Sequence, residues 1–155
     1  MNKFMKAAVD EARVGVKRGD GGPFGAVIVK DGEIVACSHN QVLSTNDPTM
    51  HAEVSAIREA CAKLGRFDLS DCELYTTCMP CPMCLGAIIW AKIPKYYYGA
   101  VDSDAAAVGF DDKVIYDYIR DGCKNNDTLA SVETDAKECR VLFEEWASKE
   151  DREMY

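Results

Sequence analysis

No stretch of this chain is apolar for long enough to cross a membrane. Leu74 to Ala91 carries no charge, but Thr76, Thr77, Pro80 and Pro82 interrupt it, and a spanning helix needs about 18 or more apolar residues in a row. The opening MNKFMKAAVDEARVGVKRGD is charged throughout, so no secretory leader is expected. Lys and Arg form no cluster and number 18 against 26 Asp and Glu, a formal net charge of -8. Neutralising phosphates takes grouped cations, so a nucleic-acid partner or an anionic membrane surface is disfavoured. Internal repeats, low-complexity tracts and Pro/Gly/Ser-rich linkers are missing too, and the 155 residues are expected to form one domain, 1–155. Histidine is scarce, with two residues, whereas cysteine is plentiful, with eight. With no export signal the expected location is the cytoplasm, where clustered cysteines bind metal or do chemistry more often than they pair.

What is present alternates between helical and strand periodicity. Phe4, Met5, Ala8, Val9, Ala12 and Val16 recur at helical spacing and predict a helix over 2–18. Gly21, Gly22 and Pro23 break it. Ala26 to Val29 and Glu33 to Ser38 read as strands joined by an Asp31-Gly32 hairpin turn. Residues 39–48 read as loop. Asp47-Pro48 then supplies an N-cap and a proline at the first helical position, predicting a helix to about Leu64 with His51 in its first turn. Leu74 to Thr77 and Tyr96 to Tyr98 read as strands. Between them Pro80 and Pro82 open a helix that Pro94 ends. After Asp102 helical and loop segments alternate through Tyr118, 121–128 reads as exposed loop, and Leu129 to Val132 as a last short strand. Val141, Leu142, Phe143 and Trp146 mark the apolar side of a terminal helix. This order predicts an α/β fold.

The chemistry concentrates in His51-Ala52-Glu53 and in Pro80-Cys81-Pro82-Met83-Cys84. One imidazole and two thiolates suit Zn²⁺, a borderline-soft cation that prefers nitrogen and sulfur. Cys81 and Cys84 stand three apart at a predicted helix start and so share one face of its first turn. His51 also lies near a helix start, and two positive dipole ends would converge on the ligands. Three protein ligands leave a fourth position open, the arrangement of catalytic zinc sites, where water becomes acidic near neutral pH. Glu53, next but one to a ligand, is placed to move protons without joining the coordination shell. Cys78 leaves other arrangements open. With Cys81 and Cys84 it makes the C-x2-C-x2-C spacing of iron–sulfur proteins, but no further Cys follows until Cys123. It would also close a structural zinc site of one His and three Cys. Cys37, Cys61, Cys72, Cys123 and Cys139 have no ligand spacing and read as small buried or incidental thiols.

H-x-E followed by P-C-x-x-C is the signature of zinc-dependent nucleobase deaminases. From Gly21 to Ala100 the chain resembles the cytidine-deaminase-like superfamily, and within it the small guanine deaminases of bacterial type. The likeness is carried by Gly22-Pro23-Phe24-Gly25-Ala26-Val27-Ile28-Val29, Asn46-Asp47-Pro48-Thr49-Met50-His51-Ala52-Glu53 and Cys81-Pro82-Met83-Cys84-Leu85-Gly86-Ala87-Ile88. Gly109-Phe110-Asp111-Asp112, Ile115-Tyr116, Phe143-x-x-Trp146 and the closing Tyr155 point to the guanine branch. The resemblance implies a three-layer α/β/α sandwich around a mixed sheet of about five strands. It implies hydrolysis of guanine at C2 to xanthine and ammonia, with His51, Cys81 and Cys84 holding one zinc ion and Glu53 shuttling protons. Asp112 would accept from the 2-amino group. Phe24, Asn40, Ala52, Trp90 and Tyr155 are the implied substrate contacts. The resemblance further implies a homodimer in which the helical segment 136–155 crosses to the partner subunit and closes its site.

Each of these assignments has a plainer counterpart. Asp111-Asp112 is equally a solvated turn, Phe24 a core residue opening a strand, Asn40 a loop cap and Trp90 a core tryptophan; Phe143 and Trp146 equally pack in cis. The substrate alternatives are guanosine, which needs room for ribose, then tRNA adenosine or cytosine. The net charge of -8 weighs against tRNA. A non-catalytic zinc module is the alternative outside enzymes.

Overall fold

The computed structural model describes all 155 residues, which divide into two compact units, Met1–Asp112 and Lys113–Tyr155. The first unit opens with α1 (Lys3–Arg18). Asn2 caps it, its side chain accepting from the backbone N–H of Phe4 (2.8 Å) and Met5 (3.3 Å), and Gly19 ends it in the left-handed region at φ 75°. Strands β1 (Gly25–Lys30) and β2 (Glu33–His39) form the expected hairpin. Asp31 and Gly32 take φ of 50° and 78°, the paired positive values that a two-residue turn needs to match strand twist.

A one-turn helix, α2 (Val42–Thr45), lies within the segment expected to be loop. Helix α3 (Ala52–Leu64) follows, and it starts later than Asp47-Pro48 predicts. Asp47 does not cap it. Its Oδ1 accepts from the Thr49 N–H (2.8 Å) and hydroxyl (2.6 Å), a local turn that competes with helix formation. His51 therefore occupies the N-cap position, with extended backbone at φ -67° and ψ 157°, rather than the first turn. Strand β3 (Cys72–Cys78), α4 (Pro82–Trp90), β4 (Tyr96–Ala100) and α5 (Asp102–Ala106) complete the unit. Pro82 stands at the first position of α4, where its missing N–H costs nothing.

The strands lie in the order β2-β1-β3-β4. β1 pairs antiparallel with β2 and β3, and β3 pairs parallel with β4, so the sheet is mixed. It has four strands, not about five. The expected strand at Leu129–Val132 is absent; Leu129 and Val132 are exposed and no strand pairs with them. A short apolar run acquires strand geometry from its pairing partner, and this one has none.

β1 shows how the layers form. Ala26 and Ile28 join a buried cluster with Ala36, Leu74, the Ala52, Ala56 and Ala60 stripe of α3, and Ile88 of α4. Val27 and Val29 point to the other face and meet Ala8 of α1 and Tyr75. The period-2 alternation thus puts α1 on one face and α3 with α4 on the other. Alanine at every fourth position lets α3 lie close to the sheet.

The second unit contains α6 (Lys113–Arg120) and α7 (Ala136–Ser148). The helical segment expected over 136–155 ends at Ser148. None of the residues 113–155 is buried, and Ile115, Ile119, Leu142 and Phe143 are exposed.

Candidate active site

The starts of α3 and α4 bring the ligand set together. His51 is the N-cap of α3, Cys81 the N-cap of α4, and Cys84 lies in the first turn of α4. His51 Nδ1 is 3.6 Å from both sulfurs, and the three ligand atoms lie within 4.8 Å of one another. Donors held about 2.3 Å (S) and 2.0–2.1 Å (N) from one tetrahedral zinc lie roughly 3.5 Å apart. The spacing and chemistry of the three donors therefore fit that ion. Neither N-cap side chain is spent on capping.

Of the three donors, only Cys81 is poised to give up its proton readily. Cys81 is drawn down to about 4, first because its sulfur accepts from the Cys84 thiol and then because it accepts from His51. Cys84 moves the opposite way, since it keeps the proton it shares with Cys81 and is buried. The contact with Cys81 raises His51. Cys78 does not join the set. It ends β3 and its thiol donates to the Val101 carbonyl (3.6 Å). The group that could hold a metal is therefore His51, Cys81 and Cys84 without Cys78, and none of the eight cysteines is in a disulfide.

Glu53 is 6% exposed. The Cys84 thiol donates to its Oε2 (3.5 Å) and the Thr76 hydroxyl to its Oε1 (3.2 Å). Burial raises its carboxyl above the ordinary range, and the negative Cys81 sulfur adds to the effect. Asp112 ends the first unit. Burial raises it also, and the charge of Cys81 contributes, so the two groups sense each other.

The implied substrate contacts fall into two sets. Asn40 is 5% exposed; its N–H donates to the Phe24 carbonyl (3.0 Å) and its Oδ1 accepts from the Val42 N–H (3.2 Å). Phe24 is partly exposed, and its ring meets the Phe110 ring edge-on with centroids 5.0 Å apart. Ala52 is fully buried between His51 and Glu53. Trp90 closes α4 two turns beyond Cys84 and is 67% exposed, which removes its reading as a core residue. Tyr155 ends the second unit, outside any helix, and is exposed. Thr76 and Phe110 are the neighbours that residue types alone do not single out. A strand threonine carries no signal of its own, and the contact of Phe110 with Phe24 is seen only in the structure.

Residues 1–100 match the model of the cytidine and deoxycytidylate deaminase zinc-binding region. The chain belongs to this family of zinc-dependent deaminases. It is 49% identical to the guanine deaminase of Bacillus subtilis (strain 168), over 98% of this chain and 97% of that one. The crystal structure of guanine deaminase from Bacillus subtilis superposes with a TM-score of 0.92 at 48% identity, covering 100% of this chain and 99% of the other. The tRNA-specific adenosine deaminase of Aquifex aeolicus (strain VF5) is 44% identical, but over only 68% of this chain and 69% of its own. No helix is long and apolar enough to cross a membrane.

Proposed function

We propose that this chain hydrolyses guanine, taking up one water and releasing xanthine and ammonia, with one zinc ion held by His51, Cys81 and Cys84. The observation that carries the reading is the buried Glu53 carboxylate on the same helix as the histidine ligand and hydrogen-bonded to a cysteine ligand. When bound, zinc supplies a Lewis acid that brings water toward ionisation near neutral pH. Glu53 would take one proton from the attacking water and deliver it to a ring nitrogen, then take the second from the oxygen added at C2 and deliver it to the amino nitrogen, which leaves as ammonia as the C2 carbonyl forms. Its raised affinity for protons suits a group that must both take and give one. Asp112 accepts from the 2-amino group, for which an ionised carboxylate is an acceptor-only partner. Asn40 has its Oδ1 engaged by Val42, which leaves its amide N–H₂ to donate to the carbonyl edge of the base. Phe24 stacks on the purine face, an interaction worth about 1–3 kcal/mol per base. Ala52, Trp90 and Tyr155 complete the proposed contacts.

The active form in this reading is a homodimer, with 136–155 crossing to the partner subunit so that its Tyr155 reaches the neighbouring site. Exposed Leu142 and Phe143 on α7 support it, since large apolar side chains left on the surface of one chain are available to a partner. Mixing inactive Glu53→Gln protein with an inactive Tyr155→Ala variant checks this part: heterodimers regain activity only if the tail serves the other subunit. The substrate is tested by ammonia release from zinc-loaded protein with guanine, guanosine, cytosine and adenine side by side. Guanine turnover with little from the other three is expected. Preference for guanosine would overturn the free-base assignment, and release from none would overturn the deaminase reading for small substrates.

A further inference from the structure

The second histidine of the chain sits in a cage that the proposed chemistry does not use. His39 is the last residue of β2, and its side chain is 7% exposed. Its Nδ1 is 2.7 Å from Glu11 Oε1 on α1, and its Nε2 is 2.9 Å from Asp20 Oδ2 in the turn after α1. An ionised carboxylate only accepts, so both contacts are satisfied when each ring nitrogen donates. The ring also fills the space beside Gly15, where a Cβ would come within 2.4 Å of its Cδ2.

The cage joins the two segments that carry the base contacts. Asp20 holds His39 with its side chain, while its carbonyl accepts from the N–H groups of Leu43 (3.0 Å) and Ser44 (3.1 Å) in α2. Its own N–H donates to the Gly15 carbonyl (3.0 Å). The residue after His39 is Asn40, tied by its backbone N–H to Phe24. Gly21, next to Asp20, lies so close that a Cβ there would be 2.1 Å from Asn40 Oδ1. Movement of Asp20 or of the imidazole would therefore displace the Asn40 amide.

We infer that His39, clamped between Glu11 and Asp20, is a positioning residue that fixes Asn40 and Phe24 for purine binding; the inference rests on the assignment of those two residues as base contacts. His39 touches neither the ligand set nor Glu53, so it acts on substrate affinity rather than on the chemical step.

The test uses the zinc-loaded enzyme and guanine. His39→Ala is expected to raise KM about tenfold while kcat stays within about threefold and zinc remains one per chain. Glu11→Gln should keep KM within about twofold, because the amide oxygen still accepts from the ring N–H. A folded His39→Ala protein with unchanged KM, or with reduced kcat at unchanged KM, overturns the inference. If His39→Ala does not fold, Asp20→Ala carries the same expectation and the same refutation. The Asn40 side-chain amide resonances give a readout independent of turnover: they should shift in Asp20→Ala and stay in place in Glu11→Gln, and unshifted signals in Asp20→Ala refute the strut. Failure of the unsubstituted enzyme to deaminate guanine refutes the proposed substrate instead, and the resonances still decide the role of His39.

Discussion

Thr76, in the middle of β3, donates its hydroxyl to Glu53 Oε1 across 3.2 Å, so the sheet itself orients the carboxylate that faces the ligand cluster. The Cys84 thiol holds the other oxygen. Glu53→Gln keeps the shape of the side chain but removes its capacity to take a proton. It is expected to lower kcat by about 10²–10⁴-fold, the range that a positioned acid–base group supplies. Zinc content and the far-ultraviolet spectrum should be unchanged. Thr76→Val removes one hydrogen bond of about 1 kcal/mol, so a fall in kcat of about fivefold is expected. Steady-state rates with metal analysis on the same samples check both.

Cys81 stands apart from the other thiols because its proton is lost near 4, whereas Cys37 and Cys72 are pushed up to about 11 by burial. The thiolate is the reactive form. In protein stripped of metal, iodoacetamide at pH 6 should therefore modify Cys81 first, ahead even of the exposed Cys123 and Cys139. Zinc should abolish that labelling and leave the exposed pair unaffected. Peptide mapping by mass spectrometry separates the sites. Equal labelling of Cys81 with and without zinc would contradict its place in the metal site.

The ligand set was legible in the sequence because spacing within a helical turn fixes relative position: Cys81 and Cys84 could not avoid sharing a face. The juxtaposition with His51 required the motif, since nothing local says that two helix starts 30 residues apart will meet. The start of α3 was misplaced because Asp47 has two uses for its carboxylate, and the turn with Thr49 prevails over the helix cap. The Leu129–Val132 strand failed for a different reason. Residue types that favour strands also occur in exposed segments, and only a partner decides between them. The His39 cage was invisible because Glu11, Asp20 and His39 come from three segments with no shared spacing.

Asp71 links Lys30 at the end of β1 (2.9 Å) to Arg66 just beyond α3 (2.5 Å). Hydrogen bonds from Lys30 and then Arg66 hold its carboxyl well below the usual range. A depressed carboxyl stabilises the fold above its unfolded value of about 3.9, and the contribution is lost as pH falls toward the folded value. Asp71→Asn should therefore melt at lower temperature than the natural chain at pH 7, and the gap should narrow below about pH 4. Because the group is solvent-accessible, added salt should also narrow the gap at pH 7. Thermal melts across pH and salt check both dependences, and a gap that widens in acid would contradict the pairing.

Gly25 and Gly86 make opposite predictions for the same substitution. A Cβ on Gly25 would lie 2.1 Å from the Ala8 carbonyl oxygen and 3.0 Å from the Ala12 nitrogen. Both are backbone atoms of α1, so no side chain can swing away to make room. Gly25→Ala must push α1 off the sheet, which places its cost at the upper end of, or above, the about 1–3 kcal/mol typical of overpacking. The displaced strand end also carries Phe24, so KM for guanine should rise as stability falls. Gly86, inside α4, has nothing within 4 Å of where its Cβ would stand. There alanine removes the entropic penalty of glycine in a helix, and a gain of up to about 1 kcal/mol is expected. Melting both variants under one set of conditions tests whether backbone contact, rather than glycine content, sets the tolerance of each site.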